Sequence, residues 1–496
     1  MVFSSMLFLI CFLPACLAVY YIIHFFFKNR KIGIKIENGV LLLFSLAFYS
    51  FGGVKYLALL LGVIILNWIS GAFVAPKFND DKSRKKVLIV TLVLNFLLLF
   101  FFKYFNLTVA MIENLFMTGK PIALRSFFLP TGNGKLGVGE IVLPIGISFY
   151  MFQALSYVID VYRGNVRIQR NIFKFALYIS FFPQLIAGPI VQYKDIEEKI
   201  SAREVSIELF SEGVKRFCIG LGKKVLIANT MAEVVDSVWE LRVGNLGALL
   251  AWFTAIAYSF QIYYDFSGYS DMAIGLGKMF GFEFKENFNH PYLSDSIQEF
   301  WRRWHISLSS WFRDYVYIPL GGSRCSKGKL YRNIMIVFML TGIWHGANQT
   351  FLCWGFLYGI LLILDRAFMK KITELNPIKI INRIVTFAVV TILWVIFRAD
   401  TMMHGRDFIV SMFSKGTGDY KLMSYLSFNV IVMFIAAILA SGILNDEKLN
   451  LKLVNRLRSN TVLFEKITHV WCILIFILSI VFLVNGSYNP FIYFQF

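Results

Sequence analysis

Long runs of apolar residues, separated by short basic segments, dominate the sequence. The first 27 residues carry no Asp, Glu, Lys or Arg, and further uncharged runs occupy residues 38–54, 56–76 and 87–102. A helix of about 20 apolar residues, rising about 1.5 Å per residue, crosses the roughly 30 Å hydrocarbon core of a bilayer. The pattern therefore predicts an all-α, polytopic membrane protein with roughly 10–12 transmembrane helices, plus re-entrant and interfacial ones.

Two apolar segments depart from the pattern of one straight span. Residues 175–193 contain Pro183 and Pro189, which remove backbone donors, so we expect a broken or re-entrant segment buried in protein. The uncharged run 333–364 is too long for one ordinary helix, and a break is predicted at HGAN, residues 345–348. Other spans are predicted at 141–159, 244–264, 384–397, 422–445 and 467–483.

Three other stretches carry their own signals. The glycines of DFSGYSDMAIGLGKMFGF, with Asp265 and Asp271, predict close backbone packing near the bundle centre after the span 244–264. Residues 204–230 are amphipathic, which favours a position at the cytoplasmic membrane surface. Residues 106–140, with the flexible sequence TGNGKLGVG at 131–139, are expected to lie outside the membrane.

Composition supports lipid as the main solvent of the chain. Of its 496 residues, 57% are hydrophobic and 16% charged, more apolar surface than a soluble protein of this length can hide. The net charge of +19 comes from Lys and Arg between apolar runs, which is typical of cytoplasmic loops beside anionic headgroups and argues against nucleic-acid binding. Basic clusters around residues 28–35 and 77–86 place the N-terminus outside.

The chain shows no soluble domain and no internal repeat. We therefore expect residues 1–496 to form a single transmembrane domain, with the histidine-bearing core at about 141–365. The sequence around Cys16 loosely resembles a lipoprotein cleavage site, but no basic segment precedes the first apolar run, which favours an uncleaved helix. Six scattered cysteines without a CxxC pair predict neither a disulfide framework nor a metal site.

Candidate chemistry concentrates between residues 298 and 345, where two of the six histidines each follow a tryptophan. If residues 298–315 form one helix, the aromatic and apolar side chains share a face with His305, and the arginines lie opposite. An interfacial aromatic belt with a basic face explains the tryptophans and arginines. It explains His305 less well, because a neutral imidazole on an apolar face still needs partners for both ring nitrogens.

His345 lies in an apolar run with no charged residue within ten positions. An ionisable group at membrane depth is costly and marks a substrate or proton path, and burial favours the neutral ring that a general base requires. A structural histidine bonded to a backbone carbonyl is the alternative. The chain has no nucleophile elbow, phosphate loop or HExxH sequence, and two histidines alone make a poor zinc site.

Several long motifs give the chain a recognisable pattern. They include PIGISFYMFQALSYVIDVYRG, FFPQLIAGPIVQY, QIYYDFSGYSDMAIGLGKMFGFEFKENFNHPY, EFWRRWHISLSSWFRDYVYIPLGGSR, TGIWHGAN and the final NPFIYFQF. Through them the sequence resembles, over nearly its whole length, the membrane-bound O-acyltransferase (MBOAT) family. Within that family it resembles the bacterial branch of the alginate O-acetylation and peptidoglycan O-acetyltransferase membrane subunits.

The resemblance implies a ring of helices around a thin centre pierced by a tunnel, with functional histidines at His305 and His345. It makes His345 the general base and gives His305 a role in orienting or polarising the donor. Gln349 and Tyr358 stand where the family often has a tryptophan and a third histidine. Candidate donor-binding or tunnel-lining residues are Trp304, Asn287, Trp344, Asn348 and Tyr358.

The resemblance also implies an activity. We expect acyl transfer, most simply of acetyl from cytoplasmic acetyl-CoA without a tightly bound cofactor, to a hydroxyl of a cell-envelope or exported polysaccharide. An extracytoplasmic acetyltransferase or esterase-like partner is expected to complete the transfer, and the bacterial cytoplasmic membrane is the expected location. Alternatives are D-alanyl transfer from a carrier-protein thioester to teichoic acid, a non-catalytic polysaccharide or solute transporter, and a structural membrane partner.

Overall fold

The computed structural model describes residues 1–27, 32–76, 80–115, 143–346, 348–369, 379–415, 418–443, 461–486 and 488–492. Within these ranges the regular elements are helices, apart from one isolated bridge between Leu246 and Gly418. The first half contains α1 (Leu13–Phe27), α2 (Gly33–Ser50), α3 (Val54–Val74), α4 (Asp81–Leu115), α5 (Ile147–Arg163), α6 (Ile172–Ser180), α7 (Phe182–Leu185), α8 (Tyr193–Ser201), α9 (Ile207–Gly222) and α10 (Asn229–Trp239).

The second half begins with the longest helix of this part of the chain. Its helices are α11 (Ala248–Met279), α12 (Ile297–Arg303), α13 (Ile306–Phe312), α14 (Lys327–His345), α15 (Gln349–Leu364), α16 (Lys379–Arg398), α17 (Met402–Met412), α18 (Phe428–Ala440) and α19 (Thr461–Asn485).

Six helices of the described ranges are long and apolar enough to cross a membrane. They are Leu7–Phe27, Val54–Val74, Asp81–Phe105, Gln349–Phe368, Ile380–Arg398 and Leu463–Asn485. Their outward side chains are largely apolar and exposed, as lipid contact requires. The protein is thus an all-α, multi-pass membrane protein, as predicted, while the count of roughly 10–12 spans stays a prediction.

Among the helices that extend beyond their predicted ends, α4 and α11 extend furthest. α4 continues to Leu115, well past residue 102, and the predicted outer stretch from residue 116, including 131–139, lies outside the described residues. α11 continues through Asp265 to Met279, although its predicted span stopped at residue 264. The negative charge of Asp265 does not end α11, because its carboxylate pairs with the Lys224 ammonium at 2.5 Å. Both side chains are buried.

The proline-containing segment 175–193 is broken, as predicted. α6 ends at Ser180, α7 follows for one turn with Pro183 in its first positions, and residues 186–192 are irregular until α8 begins. Every residue from 175 to 193 is buried. The irregular backbone therefore lies inside protein, where neighbouring groups can satisfy its donors and acceptors.

The predicted close packing of glycines is confirmed between α9 and α11. A Cβ built on Gly213 would lie 2.6 Å from the Gly275 carbonyl oxygen, and one on Gly268 would lie 2.7 Å from that of Gly220. No real Cβ is tolerated at such distances, so the glycines allow the two backbones to touch. This contact fixes the position of α11, whose Phe266 side chain packs against His305.

The prediction of one helix across residues 298–315 is wrong. α12 and α13 are separate seven-residue helices, with the break at Trp304 and His305. Two backbone hydrogen bonds outside the helices explain the break: Asn289 N–H donates to the Arg303 carbonyl, and Ile306 N–H donates to the Asn287 carbonyl, both at 2.9 Å. These bonds replace helical ones, since each backbone group needs a partner when buried.

The predicted division of faces nevertheless holds across that break. The aromatic and apolar side chains are buried, namely Trp301, Trp304, His305, Leu308, Trp311 and Phe312. Arg302 and Arg313 are exposed.

The segment 489–492 bonds both to Ser4 and to α11. Asn489 donates its amide N–H to the Ser4 carbonyl at 3.1 Å, and the Ile492 backbone N–H donates to the Asp265 carboxylate at 2.7 Å. The same carboxylate holds Lys224. The segment 489–492, together with Ser4, thus closes one face of the helix that carries part of the candidate site.

Candidate active site

His305 lies in the break between α12 and α13 with a left-handed backbone conformation, φ 43° and ψ 54°. A non-glycine residue is uncommon there, which points to a geometry held by its surroundings. Only 1% of the side chain is exposed. The Phe266 ring of α11 packs edge-on against the imidazole, with 4.6 Å between ring centroids.

Asn287 fixes the orientation and the tautomer of His305. Its carbonyl oxygen Oδ1 accepts from the Ser307 backbone N–H at 3.2 Å, and its Nδ2 donates to Ser270 Oγ at 3.1 Å. Because a backbone N–H can only donate, Oδ1 is an acceptor, and His305 Nδ1, 3.2 Å away, must carry the proton. The other nitrogen, Nε2, therefore presents a lone pair.

The Nε2 atom of His305 is buried and makes no hydrogen bond to any described residue. His305 is outside the six candidate spans, and burial lowers its pKa to about 3, so the ring is neutral at physiological pH. A buried acceptor without a hydrogen-bond donor destabilises the folded state and has no benefit if the residue is purely structural. It is suitable for receiving a hydrogen bond or a proton from a bound molecule.

His345 is the last residue of α14, and Gly346 follows in an extended conformation. The predicted break of the run 333–364 is thus confirmed, since α15 begins at Gln349. Aromatic rings surround the imidazole: the centroids of Trp344, Trp354 and Phe397 lie 4.9, 5.2 and 5.0 Å from it. The side chain is 5% exposed, so aromatic packing encloses the ring.

The Trp344 indole lies between the two histidines. Its ring centroid is 5.9 Å from that of His305 and 4.9 Å from that of His345. Phe149 of α5 completes the group, 5.7 Å from Trp344 and 6.5 Å from His305. The two imidazoles, forty positions apart in sequence, therefore meet at one tryptophan, each placed by a separate interruption of helical structure.

The remaining predicted site residues lie at different distances from this centre. Trp304 packs on Trp394, with centroids 4.9 Å apart, rather than on either imidazole. The Tyr358 ring contacts Trp301 and Trp354, and its buried hydroxyl makes no hydrogen bond within the described chain. Tyr358 is thus separated from His345 by the Trp354 ring.

Asn348 has a structural position at the start of α15. Its Oδ1 accepts from the Thr350 N–H at 3.4 Å, and its Nδ2 donates to the Asp400 carbonyl at 2.8 Å. This N-cap ends the HGAN break and ties it to the end of α16. Gln349 follows as the first residue of α15.

Sequence reasoning missed several residues around the two histidines. Phe149, Phe266 and Phe397 are ordinary apolar positions in a chain with 52 phenylalanines, so no local signal distinguishes them. Lys103 of α4 is different: its ammonium donates to the Trp344 carbonyl and lies 5.5 Å from the Trp344 ring centroid. The lysine in FFFKYFN is conspicuous in the sequence. At the end of an apolar run, however, it is expected to extend its ammonium to the headgroups, as snorkelling lysines do.

A cavity of about 110 Å³ adjoins the His305 side of the site. Ile306 and Ser307, the two residues after His305, line it together with residues 189–192 and 283–286. Its charged rim is largely paired, for example Lys285 with Asp195 at 2.6 Å. No group of three His, Cys, Asp or Glu side chains able to hold a metal occurs among the described residues.

The fold defines a class, that of all-α, multi-pass membrane proteins, and in this chain two buried histidines meet at one tryptophan. The membrane-bound O-acyltransferase family model matches residues 165–404, a range that contains both histidines. The chain is 39% identical to "probable alginate O-acetylase AlgI" of Pseudomonas putida over the full length of both proteins. The protein belongs to the membrane-bound O-acyltransferase family and is an acyltransferase.

Two further relatives show the same similarity over most of the chain. The "probable alginate O-acetylase AlgI" of Pseudomonas aeruginosa is 42% identical over 84% of this chain and 76% of its own length. The "peptidoglycan O-acetyltransferase" of Helicobacter pylori is 37% identical over 81% of this chain and 78% of its own length. The family resemblance expected from the motifs is confirmed.

Proposed function

We propose that this protein is a membrane O-acetyltransferase that moves an acetyl group from cytoplasmic acetyl-CoA to a hydroxyl of a cell-envelope or exported polysaccharide. The observation that carries the proposal is the meeting of His305 and His345 at the Trp344 ring. The activities named for the relatives, alginate O-acetylase and peptidoglycan O-acetyltransferase, support acetyl as the transferred group and a polysaccharide as its acceptor.

The His345 imidazole acts as the general base. It takes the proton of the acceptor hydroxyl while the hydroxyl oxygen forms a bond to the thioester carbonyl carbon. The resulting tetrahedral anion collapses, the C–S bond breaks, and the sulfur takes the proton from the imidazolium and leaves as a thiol. The enclosing rings of Trp344, Trp354 and Phe397 exclude water, which limits hydrolysis of the thioester.

His305 orients the donor instead of protonating it. In the tautomer that Asn287 selects, Nε2 is an acceptor, so it can hold an N–H of the donor but cannot donate to the thioester carbonyl. The cavity of about 110 Å³ beside Ser307 is the route by which the donor reaches it from the cytoplasm. Acetyl-CoA is a substrate in this scheme, and no bound cofactor is required.

The acceptor approaches from the opposite side. With the N-terminus outside the bacterial cytoplasmic membrane, the His345 end of α14 faces outward and the His305 cavity faces the cytoplasm. An extracytoplasmic acetyltransferase or esterase-like partner takes the acetyl group from this side, or the polysaccharide takes it directly. The protein thereby connects a cytoplasmic thioester with an exported glycan.

The decisive experiment uses the purified full chain in detergent or nanodiscs with acetyl-labelled acetyl-CoA and a polysaccharide or its fragments. We expect label transfer or thioester cleavage by the wild type and a loss of about 10²–10⁴-fold in His345→Ala. His469, exposed on α19 and bonded to the Glu465 carbonyl, supplies a matched control, and His469→Ala is expected to retain activity.

Different outcomes separate the alternatives. Equal activity of His345→Ala and wild type would overturn the assignment of the base. Activity only with a D-alanyl carrier-protein thioester, assayed in parallel, would replace the donor and leave the site intact. Movement of a polysaccharide or solute across vesicles without thioester cleavage would mean that the protein is a transporter. Inactivity in the acetyl-CoA, D-alanyl and vesicle assays would mean that its role is structural.

A further inference from the structure

We propose that Lys103 and the indole N–H of Trp344 form the site that stabilises the negative charge of the transfer reaction. This inference rests on the proposed function, because it concerns the tetrahedral anion formed when a hydroxyl attacks a thioester. The neutral His305 presents a lone pair, so it cannot hold that anion. A hydrogen-bond donor or a positive charge is needed beside His345, and these two residues supply both.

Lys103 is held at the end of α14 by a defined set of contacts. Its ammonium donates to the Trp344 carbonyl, and the neighbouring Tyr104 hydroxyl donates to the Ile343 carbonyl. Both are among the last four carbonyls of a helix, which have no partner within the helix itself. The negative end of the α14 dipole also favours a cation there. α4 therefore caps the helix that ends in His345.

The position of Lys103 is costly unless it serves a purpose. The residue lies within the candidate span Asp81–Phe105, between Phe100–Phe102 and Tyr104–Phe105 in sequence. Lys103 is two residues from the end of that span, but its ammonium donates to the Trp344 carbonyl instead of extending to the headgroups as a snorkelling lysine does. The Trp344 bond uses one of its three N–H groups, and among the described residues no other hydrogen bond of Lys103 is recorded.

The Trp344 indole brings a second donor to the same place. The residue is 6% exposed, and its Nε1–H makes no hydrogen bond to any described residue. Its ring lies between His305 and His345, and the Lys103 ammonium lies 5.5 Å from the ring centroid. The ammonium increases the positive character of the indole N–H, which strengthens it as a donor to an anion.

The step balances with these roles assigned. The acceptor oxygen bonds to the acyl carbon, its proton moves to His345, and the carbonyl electron pair becomes an alkoxide-like oxyanion. Lys103 and Trp344 stabilise that oxyanion by charge and by hydrogen bonding, in a site with little water. When the C–S bond breaks, the carbonyl reforms, the sulfur takes the proton from the His345 imidazolium, and the product leaves as a thiol.

The test compares four variants of the full-length protein: Lys103→Met, Lys103→Arg, Trp344→Phe and Tyr104→Phe. We expect Lys103→Met to lower kcat about 10²–10³-fold with little change in the KM for acetyl-CoA, since the lost interaction exists mainly in the transition state. Lys103→Arg keeps the charge and is expected to stay within about tenfold of wild type. Trp344→Phe, which keeps a ring without the N–H, is expected to lose about tenfold to 10²-fold.

Tyr104→Phe is the matched control, because it removes a cap from the same helix end without removing charge. We expect it to retain kcat within about threefold. Addition of ethylammonium to Lys103→Met is expected to restore about tenfold of the lost kcat, because a small cation can occupy the space of the missing ammonium. Thermal unfolding of each variant, monitored in detergent, separates loss of folding from loss of charge.

Three results would overturn the inference. The first is a kcat near that of the wild type in Lys103→Met, and the second is a loss of kcat in Tyr104→Phe as large as that in Lys103→Met. The third is a folded Lys103→Met protein that ethylammonium does not reactivate, together with an equally inactive Lys103→Arg. Failure of the proposed function is distinct from these, since it appears as a wild type that cleaves no acetyl-CoA. If the wild type uses only a D-alanyl thioester, the same series is run with that donor.

Discussion

The two histidines occupy breaks of opposite character. His305 is fixed by polar groups: Asn287 holds its Nδ1 and is itself held by Ser270 and Ser307. His345 is enclosed by the rings of Trp344, Trp354 and Phe397 at the end of a helix. Hydrogen bonds to Asn287 select one tautomer and one orientation of His305, whereas the packing of aromatic rings around His345 excludes water.

The difference agrees with the roles proposed for the two histidines, donor binding by His305 and general-base action by His345. A donor-binding residue benefits from a fixed acceptor, and a general base must bind and release a proton in every cycle. Conservative substitutions around each histidine test this difference.

The largest effect separates the two histidines kinetically. We expect His345→Gln to lower kcat by about 10²–10⁴-fold without raising the KM for acetyl-CoA, because it removes the base. His305→Gln is expected to raise that KM as well as lower kcat, since it removes the acceptor that orients the donor. Steady-state kinetics with labelled acetyl-CoA measure kcat and KM for both variants. Identical changes in the two variants would contradict the proposal that the two histidines have different roles.

The second effect tests the helix contact behind His345. A Cβ at Gly342 would clash with the Phe351 carbonyl oxygen, so Gly342→Ala must push α14 away from α15. Overpacking of this kind costs about 1–3 kcal/mol, and we expect activity to fall at least about tenfold as His345 shifts. Gly328 of the same helix has open space around it, so Gly328→Ala is the control. Equal activity of the two variants would show that the contact does not position His345.

The third effect tests the polar support of His305. Asn287→Ala leaves His305 Nδ1 and the Ser307 N–H without an acceptor, which costs about 1–3 kcal/mol and is expected to reduce kcat/KM about tenfold. Asn348→Ala removes a different asparagine hydrogen bond, the partly buried N-cap of α15, and is expected to lower stability by about 1 kcal/mol with little change in rate. A larger rate loss in Asn348→Ala than in Asn287→Ala would contradict the positioning role of Asn287.

The smallest effect concerns two tryptophans that differ in hydrogen bonding. The Trp354 indole N–H makes no hydrogen bond to the described residues, so Trp354→Phe is expected to change stability by only about 1 kcal/mol. The Trp311 N–H donates to the Phe152 carbonyl at 3.0 Å, and its ring stacks on Phe152 at 3.9 Å. Trp311→Phe is therefore expected to be more destabilising in thermal unfolding. The reverse order would mean that packing of the Trp354 indole around His345 contributes more to stability than the Trp311 hydrogen bond and ring stacking.

Much of the fold follows from the sequence because lipid imposes a simple rule. Apolar runs of sufficient length become helices, and the prolines and the HGAN sequence produced breaks where the structure has them. The break at His305 could not be predicted in this way. It depends on hydrogen bonds to Asn287 and Asn289, whose approach is a tertiary event with no local signal.

The residues of the candidate site likewise fall into those that the sequence predicts and those that only tertiary packing identifies. His305 and His345 are conspicuous because ionisable groups are rare in such a chain, and Trp344 follows from its position beside one of them. Phe149 and Phe266 are unremarkable in sequence, and only the packing of α5 and α11 gives them their place. Lys103 was passed over because it stands one position beyond the predicted span, where a lysine normally reaches into the headgroups.

The contacts of segment 489–492 also bear on the order of folding. The Ile492 amide donates to the Asp265 carboxylate, and Asn489 donates to the Ser4 carbonyl, so these bonds join residues 227 and 485 positions apart. The buried Lys224–Asp265 ion pair gains this cover only after segment 489–492 has been synthesised. We therefore expect the surroundings of the pair to be completed late in folding, after the segments that carry Lys224 and Asp265 have packed together.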